Sequence, residues 1–310
     1  MRTSLDHLPE GKRRELQRIV EILFAEFEDA LKGRNAPHRK AGRILKIILF
    51  GSYARGDWVD DPVGGYKSDY DLLVVVNHDE LADTLDYWRE ADDHLLREYQ
   101  ISKRLSAPAN FIVHSLTDLN GQLKRGRPFF VDIVRDGVAL YEAPDQPFEQ
   151  ARALSREEAA AEARGYFQEW FVSAGQFLET ALDHIARGEG WSKKAAFELH
   201  QATERYYHCL LLVLTLYSPK SHKLNFLRSQ AERLAPEFID AWPRESRFQQ
   251  RCWELLRRAY VDARYSLHYK ISDEELTWLS ERVGVLAGLV ERVCTQQLRR
   301  LEAPPEGVRS

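Results

Sequence analysis

From Leu8 to Leu31 the apolar side chains recur at three- and four-residue steps, among them Leu16, Ile19, Leu23, Phe27 and Leu31. That period puts them on one helical face. Gly33, Asn35 and Pro37 break the pattern. The run ILKIILF, Ile44 to Phe50, reads as a short buried strand, and a second apolar run, Asp71 to Val76, as another. A helix is expected over DELADTLDYWREADDHLLREYQ, with Leu81, Leu85, Trp88 and Leu95 as its apolar positions. ANFIVHS is a third strand candidate. DLNGQLKRGRPFFVDIVRDGVALYE reads as a short helix, a partly apolar segment and a last strand, Val138 to Tyr141.

The pattern changes at EAPDQPFEQ, where two prolines and acidic spacers mark a boundary near residues 143–150. Everything beyond it has helical period. Ser155 and Glu158 have the spacing of a capping box. It opens a long amphipathic helix with Phe167, Trp170, Phe171, Phe177 and Leu178 on one side. Further helices are expected from about Ser192 to Tyr217, Glu245 to Arg264 and Asp273 to Leu301. The chain therefore divides into an α+β domain over residues 1–146, an all-α bundle over 151–302 and a disordered tail at 303–310.

Composition narrows the function classes. The 310 residues are 44% hydrophobic, enough for real cores, with a net charge of −4 that gives no general attraction to nucleic acid. Cys209, Cys252 and Cys294 are widely spaced, and no Cys/His cluster is present, so neither a disulfide framework nor a zinc site is indicated. No apolar run approaches a membrane span, and the N-terminus has no apolar leader. A cytoplasmic protein with no membrane partner is the expectation.

The chemistry concentrates in ILFGSYARGDWVDDPVGGYKSDYDLLVVV, Ile48 to Val76. Asp69 and Asp71 are two apart at the mouth of a strand, so both project to one face. Two carboxylates held that close resist joint ionisation unless a cation lies between them. A hard divalent ion takes one or two carboxylates plus substrate phosphates. Gly51 and Ser52 follow the preceding strand, where glycine lets backbone approach a ligand and N–H and hydroxyl groups can meet phosphate oxygens. The competing reading is a turn-capping Asp69 and a solvated Asp71. Walker A and G-x-G-x-x-G patterns are absent.

FGSYARG…SDYDLLVVV resembles the signature of the DNA polymerase β-like nucleotidyltransferases. The resemblance implies an α+β fold, a mixed sheet with flanking helices. It also implies Mg²⁺-dependent transfer of a nucleoside monophosphate, AMP from ATP for choice, to a hydroxyl. Gly51, Ser52 and Arg55 would hold the nucleotide, and Asp69 and Asp71 the metal. The family's third carboxylate is not matched: Asn110 stands at the corresponding strand position, with His114 on the same face, and Asp118 and Asp132 are not at convincing strand positions. The insertion DWVDDPVGGYK adds Asp57, Asp60 and Asp61, read as solvated turn residues in preference to outer neighbours of the metal.

In the second half, LHQATERYYHCLLL followed by PKSHKL resembles the HEPN domain, an up-and-down helical bundle often fused to such nucleotidyltransferases. Gln201 and Glu204 share a helical face, and His222 is read as capping the next helix. Many HEPN domains are ribonucleases with an Arg–His pair. Arg264 and His268 are the candidates here, as i and i+4 residues of a helix able to stabilise charge and shuttle a proton. The resemblance also makes Tyr265 and Tyr269 candidate acceptors of AMP. It implies a homodimer, a protein or RNA acceptor, and a single-chain toxin–antitoxin or defence-like setting. An antibiotic-modifying nucleotidyltransferase, a nucleotide-binding protein without turnover and a HEPN ribonuclease remain as alternatives.

Overall fold

A computed structural model describes residues 1–33, 36–61 and 66–303; the tail expected to be disordered lies, from residue 304 onward, outside the described residues. The chain forms two compact units, Met1–Ala153 and Leu154–Ser310.

The first unit opens with α1 (Glu10–Leu31) and a short α2 (Pro37–Lys40). Strand β1 (Ile44–Phe50) runs directly into a one-turn helix, α3 (Gly51–Arg55). A two-residue ladder, β2 (Asp60–Asp61) and β3 (Tyr66–Lys67), precedes β4 (Tyr70–Val76). Then come α4 (Thr84–Tyr87), α5 (Arg89–Gln100), β5 (Ala109–Ser115), α6 (Leu116–Lys124), α7 (Pro128–Asp136) and β6 (Val138–Glu142). The sheet order is β5-β4-β1-β6, with β4 and β5 parallel and β1 antiparallel to both of its neighbours. It is a mixed sheet with flanking helices.

Both central strands are buried at every position, which is why they read as unbroken apolar runs rather than alternating ones. One face carries Ile47, Leu49, Leu72 and Val74 into a core shared with Leu16, Ile19, Leu23 and Phe27 of α1. Phe27 stacks on Trp88 at 4.8 Å. The helix expected over residues 79–100 is instead three pieces: a 3-10 turn at Asp79–Ala82, α4 and α5. Asp83 caps α4 by accepting from Leu85 and Asp86 N–H, a turn signal that overrides the apolar period. Leu85, counted above as a core position, is consequently 76% exposed.

The partly apolar segment before the last strand is helix α7, begun by Pro128 at its first turn. It returns to the sheet through Gly137, whose added Cβ would lie 2.4 Å from Ile133 O and 2.7 Å from Ile48 Cγ2. Neither a backbone oxygen nor a buried strand side chain can yield freely. Gly137→Ala is expected to destabilise this unit by about 1–3 kcal/mol, read as a lowered denaturation midpoint.

The second unit is helical throughout: α8 (Arg156–Tyr166), α9 (Val172–Ala186), α10 (Ser192–Thr215), α11 (Leu224–Leu234), α12 (Arg247–Tyr265) and α13 (Asp273–Glu302). A π-turn at Phe167–Phe171 joins α8 to α9. The Ser155–Glu158 capping box forms, and two more, Ser246–Gln249 and Ser272–Glu275, start α12 and α13. Helix α10 is the hub, packing on α9, α11, α12 and α13, and it is buried nearly all round. Among the described residues no helix is long and apolar enough to cross a membrane.

Candidate active site

Strand β1 delivers its C-terminal end, Phe50, directly opposite Asp71 of β4. The chain then turns at Gly51, which holds φ +76°, a left-handed conformation that glycine adopts without steric cost. Ser52 opens the following helical turn. Gly56, at φ +89°, ends it, and the N–H groups of Gly56 and Asp57 both bond to Ser52 O. Arg55, expected to meet the nucleotide, makes two 3.0 Å bonds to the carboxylate of Asp57. Asp60 pairs with Lys67 at 3.2 Å; the side chain of Asp61 lies outside the described residues, as do residues 62–65 of the same insertion.

Asp71 is only 5% exposed, and the parallel β4–β5 register sets Asn110 beside it. Asn110 Nδ2 donates to Asp69 Oδ2 at 2.8 Å. Asp69 and Asp71 therefore share the face on which Asn110 stands, one strand away from the Gly51–Ser52 turn. Tyr70, between them, points to the opposite face and is fully buried. Its hydroxyl donates to Glu15 at 2.9 Å, and its ring stacks on Tyr53 at 4.2 Å. Burial pushes the Tyr70 phenol well above its ordinary range, with neighbouring negative charge adding to it.

The other acidic candidates are used elsewhere. His114 is bonded to Asp118 at 2.6 Å, and that bond holds the Asp118 carboxyl below its usual range. Asp132 sits on α7, 2.9 Å from Arg135. Among the described residues no group of three or more His, Cys, Asp or Glu is placed to hold a metal ion. Two carboxylates on one strand face, one of them buried, fit a hard divalent cation whose other ligands are phosphate and water oxygens. They do not make a cage for a metal alone.

Residues 37–144 match the family model of the polymerase beta nucleotidyltransferases, and residues 167–293 match that of the HEPN domain. Over 121 residues the chain is 34% identical to a protein of Methanocaldococcus jannaschii named "Putative protein adenylyltransferase", a stretch that is 39% of this chain and 97% of that relative. The chain belongs to the polymerase β nucleotidyltransferase family. It carries a HEPN domain in its C-terminal half. A nucleotidyltransferase-like protein from Exiguobacterium sibiricum 255-15 is a remote structural neighbour, at 10% identity and a TM-score of 0.29 over 92% of this chain and 79% of that one.

The HEPN half of this nucleotidyltransferase corrects two expectations. Helix α12 ends at Tyr265, so Arg264 lies in its last turn while His268 lies beyond it, in an exposed turn. The i, i+4 helical geometry assumed for the pair is not there. Arg264 instead folds over its own helix end: Nε donates to Tyr260 O at 2.6 Å, and the guanidinium lies 4.4 Å from the Tyr260 ring. His222 does not cap the next helix, which starts without a side-chain cap. Its Nδ1 is 2.9 Å from Glu204 Oε1. Tyr269 is 3% exposed, and its hydroxyl donates to Leu255 O, whereas Tyr265 is 75% exposed.

Glu204 is the centre of an unforeseen cluster. His200, Glu204 and His208 are spaced four apart on α10, and the carboxylate lies 3.7 Å from His200 Nδ1 and 3.8 Å from His208 Nε2. The i, i+4, i+8 spacing was legible, but the apolar neighbours on all sides hid which face it occupied. Burial lowers both imidazoles to about 4, against the pull of Glu204, while the bond to Glu204 raises His222.

Proposed function

We propose that this chain transfers AMP from ATP, with Mg²⁺, to a hydroxyl group of a protein. The observation that carries the reading is the approach of the Gly51–Ser52 turn to the Asp69/Asp71 face, set by the Phe50–Asp71 pairing. Ser52 and the backbone around Gly51 would receive the triphosphate. Asp69 and Asp71 would hold the ion, which supplies charge neutralisation at the phosphates. The acceptor oxygen attacks the α-phosphorus, its proton passes to solvent, and the bond to the β-phosphate breaks to release pyrophosphate. The name of the archaeal relative supports a protein acceptor. For an acceptor within the chain itself, the exposed Tyr265 is favoured over the buried Tyr269.

Asn110 favours one second reading: ATP is bound without being turned over. An amide in contact with Asp69 can orient that carboxylate but cannot take a proton from the acceptor. A ribonuclease finds less support, because Arg264 and His268 do not share a helix face. Incubation with ATP labelled on the α-phosphate decides the matter. Transfer predicts covalent label on protein that requires Mg²⁺; reversible ATP binding with no label on protein selects the second reading.

A further inference from the structure

Residues 1–36 lie outside the segment matched by the nucleotidyltransferase family model, which begins at residue 37. Within residues 1–36, Arg2, His7, Lys12 and Glu15 nevertheless contact both halves of the candidate site. Every buried or half-buried carbonyl at a helix end needs a donor, and the accounting for α3 is specific. Ser52 O takes the N–H groups of Gly56 and Asp57. Tyr53 O is bonded by His7 Nε2 at 2.8 Å. Ala54 O accepts from the Arg2 guanidinium, which also donates to Asp136 O at 2.8 Å. Arg2 is itself fixed by its backbone, donating to Gly137 O and accepting from Ala139 N–H along β6.

The second contact is to the carboxylate strand. Glu15 of α1 accepts from Tyr70 OH and from both the N–H and the hydroxyl of Ser106, the latter in the segment leading into β5. Lys12 donates to Ser106 Oγ at 2.6 Å and lies 5.3–5.7 Å from the ring centroids of Tyr53, Trp58 and Tyr70. A cation on stacked aromatic faces is favourable when desolvated, and Lys12 is buried. Tyr53 follows Ser52, and Tyr70 separates Asp69 from Asp71. One segment thus ties the turn to the strand.

We infer that Arg2, His7 and Glu15 are positioning residues that hold the Gly51–Ser52 turn in register with Asp69 and Asp71, so that triphosphate and metal are met together. Tyr53 and Ala54 are also packed into the core, with Tyr53 stacked on Trp58 and Tyr70, but the Arg2 and His7 bonds to the turn carbonyls are polar and can be removed while that packing stays.

The inference rests on the reading of the turn as the triphosphate seat, and the test separates the two. In the full chain, the double variant Arg2→Met, His7→Phe removes both donors to the turn. Its KM for ATP is expected to rise about fivefold or more with kcat little changed, while the melting temperature falls modestly because the Arg2 bonds to Ala54 O and Asp136 O and the His7 bond to Tyr53 O are lost. His7→Gln, which restores an N–H donor, should recover part of the loss. Amide hydrogen exchange at Gly56 and Asp57 should quicken in the double variant while that of β4 does not. An unchanged KM together with unchanged exchange overturns the inference, as does a fall in kcat that simply tracks the folded fraction. Failure of the wild-type chain to bind Mg–ATP would sink the functional reading instead, and the exchange measurement alone would then judge the tether.

Discussion

Asp71→Asn is expected to cut nucleotidyl transfer by on the order of 10²–10³-fold, the loss typical of removing a group that stabilises developing charge. The substitution keeps shape, and Asp71 sits almost buried between Phe50 and Asn110 on the neighbouring strands, so the fold should tolerate it. It also removes one of two adjacent like charges. Without ligand, the variant should therefore melt at or slightly above the wild-type temperature, because the repulsion between Asp69 and Asp71 is relieved. With Mg–ATP the order should reverse, since only the intact pair gains from binding the cation. Asp69→Asn should show the same reversal. A variant that retains wild-type transfer, or a wild-type melting temperature that Mg–ATP leaves unmoved, would remove the carboxylate pair from the mechanism.

The turn and the carboxylate pair were legible for a definite physical reason. Strands buried on both faces appear as unbroken apolar runs, and polar residues at their ends stand out: Gly51–Ser52 after ILKIILF, Asp69 and Asp71 before LLVVV. The helix spacing in the second half was equally plain, because α8 and α9 expose one face and bury the other. What stayed hidden depends on contacts between distant segments. Nothing in sequence spacing says that Glu15 receives Tyr70 across 55 positions, or that His7 reaches the carbonyl of Tyr53. Local signals misled where two competed. Leu85 fits an apolar helical period, but Asp83 starts a new helix two residues earlier and turns Leu85 outward. The Arg264–His268 spacing likewise fits a helix, yet the backbone leaves helical geometry at Ser266.

Acidification should destabilise the helical unit through His200 and His208. Both rings are buried on α10 and titrate at about 4 in the folded state, against roughly 6.5 in an unfolded chain. A lowered histidine pKa means that the unfolded state binds protons first. Stability from these two groups is therefore complete above about pH 6.5 and drains away as the pH falls toward 4. Both rings face the one Glu204 carboxylate, so their proton uptake is coupled and the loss belongs to the cluster rather than to either ring alone. His222 has the opposite sign. Its pKa is raised by Glu204, so its contribution is complete below about 6.5 and is lost as the pH rises through the folded value; it cannot rescue the acid limb. Melting temperature followed by far-ultraviolet circular dichroism from pH 8 to pH 4 should fall steeply on the acid side. In His200→Gln, His208→Gln the neutral-pH melting temperature should drop, since two packed rings are lost, but the acid slope should flatten. An acid limb just as steep in that variant would place the proton uptake on other groups, and Glu204 would then be a packed carboxylate whose histidine neighbours titrate without consequence.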